Sequence, residues 1–397
     1  MPTVARREAA VWLVGAATAF SLLGDQALYS TLPIYFEELG LRPFEVGIVL
    51  SANRWIRLAT NELAHRLTTR GNQHLLFVAA VGLGAVVTAA YATTPGFVFF
   101  VAVRMMWGLC WSFIRHLGIL SVLTATGHDQ AGRSAGRLSG IGRIGSVGGL
   151  LGGALVVDWL GFGPAMLVLA ALSTVAVPLA WFGFVEIVEW PAKADGKGEV
   201  GRASWVLGFA HGMVGPGLVL ATLGAVIADR VTASGWLSAA SLTGGVLALR
   251  FVLESTAAAR LGALFDQRGV RVACSGAFAI GSVALVVAAL SPSLVVLVLA
   301  VVAFFVSGTA LGAGLTGYAG REGSRALARF ATASDLGSAS GPALGWIALG
   351  LFDQPTLGLG LGAIIYGLGA FAALRWLGAG SPSTDRQEIG RRGTLGP

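Results

Sequence analysis

Residues Phe97 to Leu123 form an apolar run long enough to cross a bilayer, yet the run holds Arg104, Arg115 and His116 in its interior. About 20 helical residues span the roughly 30 Å hydrocarbon layer, and an arginine near the centre costs about 2.5–3.5 kcal/mol or more unless it meets a partner or water. Such a helix cannot sit alone in lipid. It needs a bundle whose other members supply acids, carbonyls or a wet chamber.

The remainder of the chain is of the same kind. Hydrophobic residues make up 55 % and charged residues 12 %, where a soluble domain carries about 25 % charge. The 58 glycines suit helices that approach closely in lipid, where contact depends on small residues. The net charge of +7 is spread thinly between apolar runs, with no basic block interleaved with aromatics, which argues against nucleic acid as a partner. Cys110 and Cys274 each fall inside an apolar run and read as small core residues rather than a disulfide or metal pair. Arg6 and Arg7 precede a run that continues to Phe36. That run is longer than a signal-peptide core, so despite Ala17-Thr18-Ala19 it reads as an uncleaved first span.

Windows of about 19 residues give twelve spans. Six lie near 10–36, 44–68, 73–93, 96–124, 133–157 and 164–186, and six near 203–229, 235–261, 272–291, 293–318, 328–352 and 357–378. The long polar stretch 189–202 reads as a linker between two six-helix bundles, 1–188 and 203–397, the second ending in a short polar tail. The expected fold is therefore an all-α membrane protein of twelve transmembrane helices in two pseudo-symmetric halves. With the N-terminus in the cytoplasm, the inner segments hold Arg66, Arg70, Arg133, Arg137, Lys193, Lys197 and most other basic residues, and the outer ones only Arg42 and Arg230. The positive-inside rule then places both termini in the cytoplasm of a cell-membrane, multi-pass protein. A repeat supports the two halves: the segment from Arg143 through Gly145, Ser146 and Gly149 aligns with that from Asp335 through Gly337, Ser338 and Gly341, about half a chain later.

Several local patterns resemble the major facilitator superfamily. The stretch Gly262-Ala-Leu-Phe-Asp266-Gln-Arg-Gly269-Val-Arg271 is similar to that superfamily's loop motif. There the small residue lets helices touch, the Asp can cap a helix, and the basic residues anchor at the cytoplasmic face. In the first half the corresponding stretch has Asn61 in place of Gly and His65 in place of Asp. Arg104 followed by Gly108 resembles the fourth-helix motif, whose Arg the superfamily associates with proton transfer; Trp107 replaces its usual Gln. Gly136, Gly145, Gly149 and Gly153 resemble the glycine framework of its antiporters, with Leu150 where that framework has Pro. The resemblance implies two bundles, a central cavity lined by spans one, four, seven and ten, and seams between spans two and eleven and between five and eight.

Buried charges want partners. Asp25 and Arg104 differ by only about 5 Å in depth at 1.5 Å per residue, and the resembled fold puts both on the cavity. They are expected to form a proton-coupling pair, with Asp25 the titrating group. At the seams, Asp335 is expected to face Arg57 or Arg54, and Arg143 to face Glu254, which Arg250 shares from one turn away. These would be interdomain ion pairs that part when access changes. Arg115 and His116 are left without an acid and, with His211, are candidates for the lining of the solute cavity. Tyr29, Trp107, Trp111 and Phe113 are candidates for its aromatic wall.

The expected function is secondary active transport of a small organic solute by alternating access, proton-coupled, with export the first choice. Transport of an anionic or carboxylate-bearing metabolite through the buried arginines is the alternative. A non-transporting receptor or scaffold is the alternative of another class, since fold does not fix function. The expected partners are the solute, protons and lipid, and the expected state a monomer. No enzyme activity, metal or cofactor is expected, because no nucleophile lies beside a base and no His/Asp/Glu group has metal-ligand spacing.

Overall fold

The computed structural model describes residues 4–68, 71–93, 96–126, 131–187, 202–231, 238–322 and 324–377. Nearly all of the expected linker, with Lys193 and Lys197, lies outside the described residues, as do Arg70 and the tail. Within them each expected span coincides with one helix or two consecutive ones. In chain order these are α1 (Glu8–Tyr35), α2 (Pro43–Thr68), α3 (Gln73–Thr93), α4 (Phe97–Thr126), α5 (Arg133–Leu160) and α6 (Phe162–Gly183). The second half follows with α7 (Arg202–Ala228), α8 (Ala239–Thr256 with Ala258–Arg268), α9 (Val270–Leu290), α10 (Leu294–Glu322), α11 (Ser324–Phe352) and α12 (Leu357–Trp376).

Among the described residues nine of these helices are long and apolar enough to cross a membrane, and α8 makes a tenth if its two parts are one span. The other two, α2 and α11, have 26 and 29 residues. Their length suffices; they fall short in hydropathy because they carry the seam charges Arg54, Arg57 and Asp335. The eighth span, expected near 235–261, is bent. The helix starts at Ala239, capped by Ser238, and bends by 58° near Ala257. Ser255 and Thr256 donate to the Phe251 and Val252 carbonyls at 2.8 Å, and such back-bonding bends helices.

The halves repeat one packing scheme. In the first, α1 packs on α5, α2 on α4 and α3 on α6; in the second, α7 packs on α11, α8 on α10 and α9 on α12. Between the halves α2 meets α11, α5 meets α8, and α1 meets α7. Glycines set the closest approaches. Gly145, Gly149 and Gly153 lie against Ala19, Leu23 and Ala27 of α1, so that a Cβ at any of them would overlap its neighbour. At the repeat-related positions Gly337, Gly341 and Gly345 lie against Phe209, Gly217 and Thr222 of α7. Gly136 differs from the framework expectation, for no described residue lies within 4 Å of where its Cβ would be. Large apolar side chains such as Val98, Trp159, Phe182 and Leu290 face outward, as they should where the solvent is lipid.

Two ends can be told apart. The near end carries the turn at 268–270 and the end of α10 at Glu322, and the far end the turns at 36–42, 161 and 353–356.

Candidate functional site

Arg104 is fully buried and Asp25 is 4 % exposed. Arg104 Nη1 donates to Asp25 Oδ1. Its Nη2 reaches the Tyr29 hydroxyl and its Nε the Val49 carbonyl, both at 3.3 Å, so one guanidinium ties α4 to α1 and α2. The carboxylate is held further by Asn53 Nδ2 at 3.2 Å and Gln26 Nε2 at 3.0 Å. Those amides were not singled out from the sequence, although Gln26 adjoins Asp25 and Asn53 lies one turn from Arg57. Tyr29, a candidate for the cavity wall, is buried. Its ring lies between two guanidiniums, with the Arg54 and Arg104 carbons 5.4 and 5.6 Å from the ring centre.

At the seam α11 presents Asp335 to two arginines, Arg57 at 3.6 Å and Arg115 at 3.9 Å. Arg115 therefore has an acid, contrary to expectation. Glu254 receives Arg250 Nε at 2.9 Å from its own helix and Arg143 at 3.5 Å from across the seam. Among the described residues Arg54 binds no acid; its Nη1 donates to the Pro216 and Ser338 carbonyls, both at 2.6 Å. The Pro216 carbonyl belongs to a π-helical turn, Met213–Val219, in α7, a type of turn that shifts backbone bonds out of the regular ladder.

Arg143 lines two cavities along the seam. One, about 410 Å³, lies between α1, α4 and α5 and is lined by Thr18, Trp111, Arg115 and Ser146 among others. The other, about 370 Å³, lies between α5, α7, α8 and α10 and is lined by His211, Glu254, Thr309 and Thr316. The expected lining residues thus divide. Trp111, Arg115 and His211 face a cavity. Trp107 is buried against Gly84 of α3, its bulk filling the notch that glycine leaves. His116 faces His65 of α2, their rings edge to face at 5.7 Å.

Toward the far end the halves close. Asp158 at the end of α5 accepts hydrogen bonds from Ser238 and Ser241 of the second half, and from the Tyr35 hydroxyl at 2.8 Å. Phe36 meets Trp346 edge-on at 5.4 Å, and Trp346 Nε1 donates to the Ala221 carbonyl at 3.0 Å. The Asp158 cluster was missed because Ser238 was read as span interior, whereas a serine just before a helix is a capping signal. Away from that seal the seam is wetter, with side-chain exposures of 57 % at Arg115, 32 % at Arg143 and 31 % at Asp335.

Residues 14–249, more than half of the chain, match the model of the Major Facilitator Superfamily. The chain belongs to this superfamily. No curated protein matches it in sequence, but several solved structures share its fold. A bacterial homologue of the human lysosomal transporter Spinster, inward-facing and unoccupied, is 14 % identical with a TM-score of 0.71, over 94 % of each chain. A variant of the nucleoside transporter NupG is 13 % identical with a TM-score of 0.75, over 93 % of this chain and 100 % of the other. The POT family transporter PepTSo is 11 % identical with a TM-score of 0.73, over 94 % and 98 %. The chain is a multi-pass membrane protein with a transporter fold of the superfamily.

The segment resembling the superfamily's loop motif is built somewhat differently from the sequence expectation. Gly262 touches Ala313 of α10, and Gly269 turns the chain at φ +78°, a conformation glycine adopts without strain. Asp266 caps no helix; it pairs with Arg321 of α10 at 2.7 Å. Arg271 lies in the first turn of α9. In the first half Asn61 is exposed, His65 packs on His116, and Glu62 pairs with Arg66 one turn along its own helix at 2.7 Å.

Proposed function

We propose that this member of the superfamily is a secondary active transporter that moves a small organic solute by alternating access in exchange for protons, in the direction of export. The observation that carries this reading is the Asp25–Arg104 pair, a carboxylate and a guanidinium enclosed in one bundle yet beside the seam. Burial of both charges is costly unless they stay paired. Rearrangement of the pair as the halves rock leaves Asp25 with a proton in place of its partner, and re-pairing releases that proton. The halves 1–188 and 203–397 move as rigid bodies about the 189–202 linker in a monomer. The Arg57–Asp335 and Arg143–Glu254 bridges hold one arrangement and part in the other.

The distribution of arginine supports an orientation with the near end in the cytoplasm of a cell membrane. The seam, closed at the far end, then opens inward, a state like that named for the Spinster homologue. Export is favoured by the close α1–α5 contact at Gly145, Gly149 and Gly153, positions that resemble the superfamily's antiporter glycines.

Vesicles containing the protein, with an imposed pH gradient and a solute panel, test the proposal. Asp25→Asn should reduce proton-driven transport to the level of empty vesicles while solute counterflow persists. Proton-driven transport unchanged in Asp25→Asn would count against this role.

A further inference from the structure

The charged side chains inside the protein differ in how fully they are bonded. Arg104, Arg54 and Arg250 each donate hydrogen bonds, to Asp25, to two carbonyls and to Glu254 respectively. Arg57, Arg115 and Arg143 sit instead at 3.6, 3.9 and 3.5 Å from their acids, beyond the 2.7–2.9 Å or so of a charge-assisted hydrogen bond. Among the described residues these three donate none, and Arg57 Nε is enclosed without a partner. A guanidinium carries five donors, and leaving them unmet away from water is costly. Charge is unbalanced as well. Asp335 faces Arg57 and Arg115, and Glu254 faces Arg143 and Arg250, so each cluster holds more positive than negative groups.

We infer that the solute is an organic monocarboxylate, its carboxylate held by Arg115 and Arg143 and its apolar body lodged in the 410 Å³ cavity between α1, α4 and α5. This assignment rests on the transport reading above and names its substrate class. Both arginines line that one cavity, together with the Trp111 ring and the apolar side chains of Leu22, Ile114 and Leu138. A planar carboxylate offers two acceptors to the rigid fork of each arginine. An amine would add positive charge where it is already in surplus, and a neutral amide brings only one acceptor oxygen and no charge. A phosphate monoester carries nearly two negative charges, a poorer match to a chamber whose remaining polar side chains are only the neutral hydroxyls of Thr18, Ser139 and Ser146. Binding has a mechanical consequence. A ligand carboxylate that draws Arg115 from Asp335 and Arg143 from Glu254 loosens a bridge at each seam, so occupancy and movement of the halves are linked.

The test uses the full chain in detergent and matched probes: 3-phenylpropionate, 3-phenylpropionamide and 3-phenylpropylamine, with indole-3-acetate and its amide as a second set. Only the two carboxylates should raise the melting temperature. Arg115→Gln and Arg143→Gln should each weaken carboxylate binding about tenfold or more, with Arg115→Lys intermediate because it keeps charge but not the fork. Arg137→Gln, an exposed arginine on the same helix as Arg143, should leave binding unchanged and so controls for overall charge. Ligand-free melting curves separate lost fold from lost binding, and Arg115, the more exposed of the two, is the position expected to fold normally when changed. The inference is overturned if neither carboxylate stabilises the protein, if amide or amine does so equally, or if both glutamine variants keep wild-type carboxylate affinity. No gradient is involved, so the two readings fail separately. Carboxylate binding without proton-driven movement contradicts only the transport reading, and proton-driven movement of amines without carboxylate binding contradicts only this one.

Discussion

Arg104→Leu should yield little folded protein in the membrane. The wild-type guanidinium is fully buried and bonded to Asp25, Tyr29 and the Val49 carbonyl. Its loss strands a carboxylate that is itself 4 % exposed. Breaking a buried pair from one side costs about 3–5 kcal/mol, a large part of the roughly 5–15 kcal/mol that holds a typical protein folded. Removing the acid as well should reverse most of that loss, because paired apolar replacements leave no orphaned charge. Asp25→Leu combined with Arg104→Leu is therefore expected to recover monodisperse protein and a melting temperature near wild type while staying inactive in proton-driven transport. Detergent extraction, size exclusion and thermal unfolding report on the fold. An Arg104→Leu protein as stable as wild type would show that the pair does not carry the load described.

Gly145→Val should be comparably damaging, and Gly136→Ala harmless, although both glycines lie on α5 and both belong to the pattern read from the sequence. A Cβ at Gly145 would overlap the carbonyl, Cα and C of Ala19. That obstacle is backbone, which yields only if α1 moves. Overpacking typically costs about 1–3 kcal/mol, and a valine against backbone belongs at the upper end or beyond. At Gly136 a methyl group meets open space, and alanine should gain about 0.5–1 kcal/mol by restricting the unfolded chain. Melting temperatures of the two variants measured side by side check the contrast; equal effects would refute the packing account of α1 on α5.

These two residues also mark how far the sequence could be read. The halves and the repeat follow from hydropathy and glycine spacing, which act along single helices, while the pairing of Asp25 with Arg104 follows from the cost of buried charge at a common depth together with the resemblance, which implies that both face the cavity. Which face of a helix a residue occupies is harder, since it depends on rotation about the helix axis. Trp107 was legible as a large ring in α4, but not as the ring that fills the notch at Gly84. Arg54 and Arg57 are three residues apart on α2, yet one takes the carbonyls of Pro216, in a π-helical turn of α7, and of Ser338 in α11, and the other an acid. No pattern in α2 reveals that α7 is irregular opposite it. Asp158 went unnoticed because its partners Ser238 and Ser241 lie beyond a seam whose closure only three-dimensional packing defines.

The central claim is that the halves rock about the seam, so that the far-end closure around Asp158 must open in every cycle. Cysteines introduced as Asp158→Cys and Ser238→Cys, one on each half, can be joined by a short bifunctional thiosulfonate in protein reconstituted into vesicles. Cys110 and Cys274 are both buried, and the parent protein treated with the same reagent serves as the control. Transport should be present before cross-linking, absent after it, and restored when a reductant cleaves the link. Undiminished transport with the two halves tied together at that end would contradict the account.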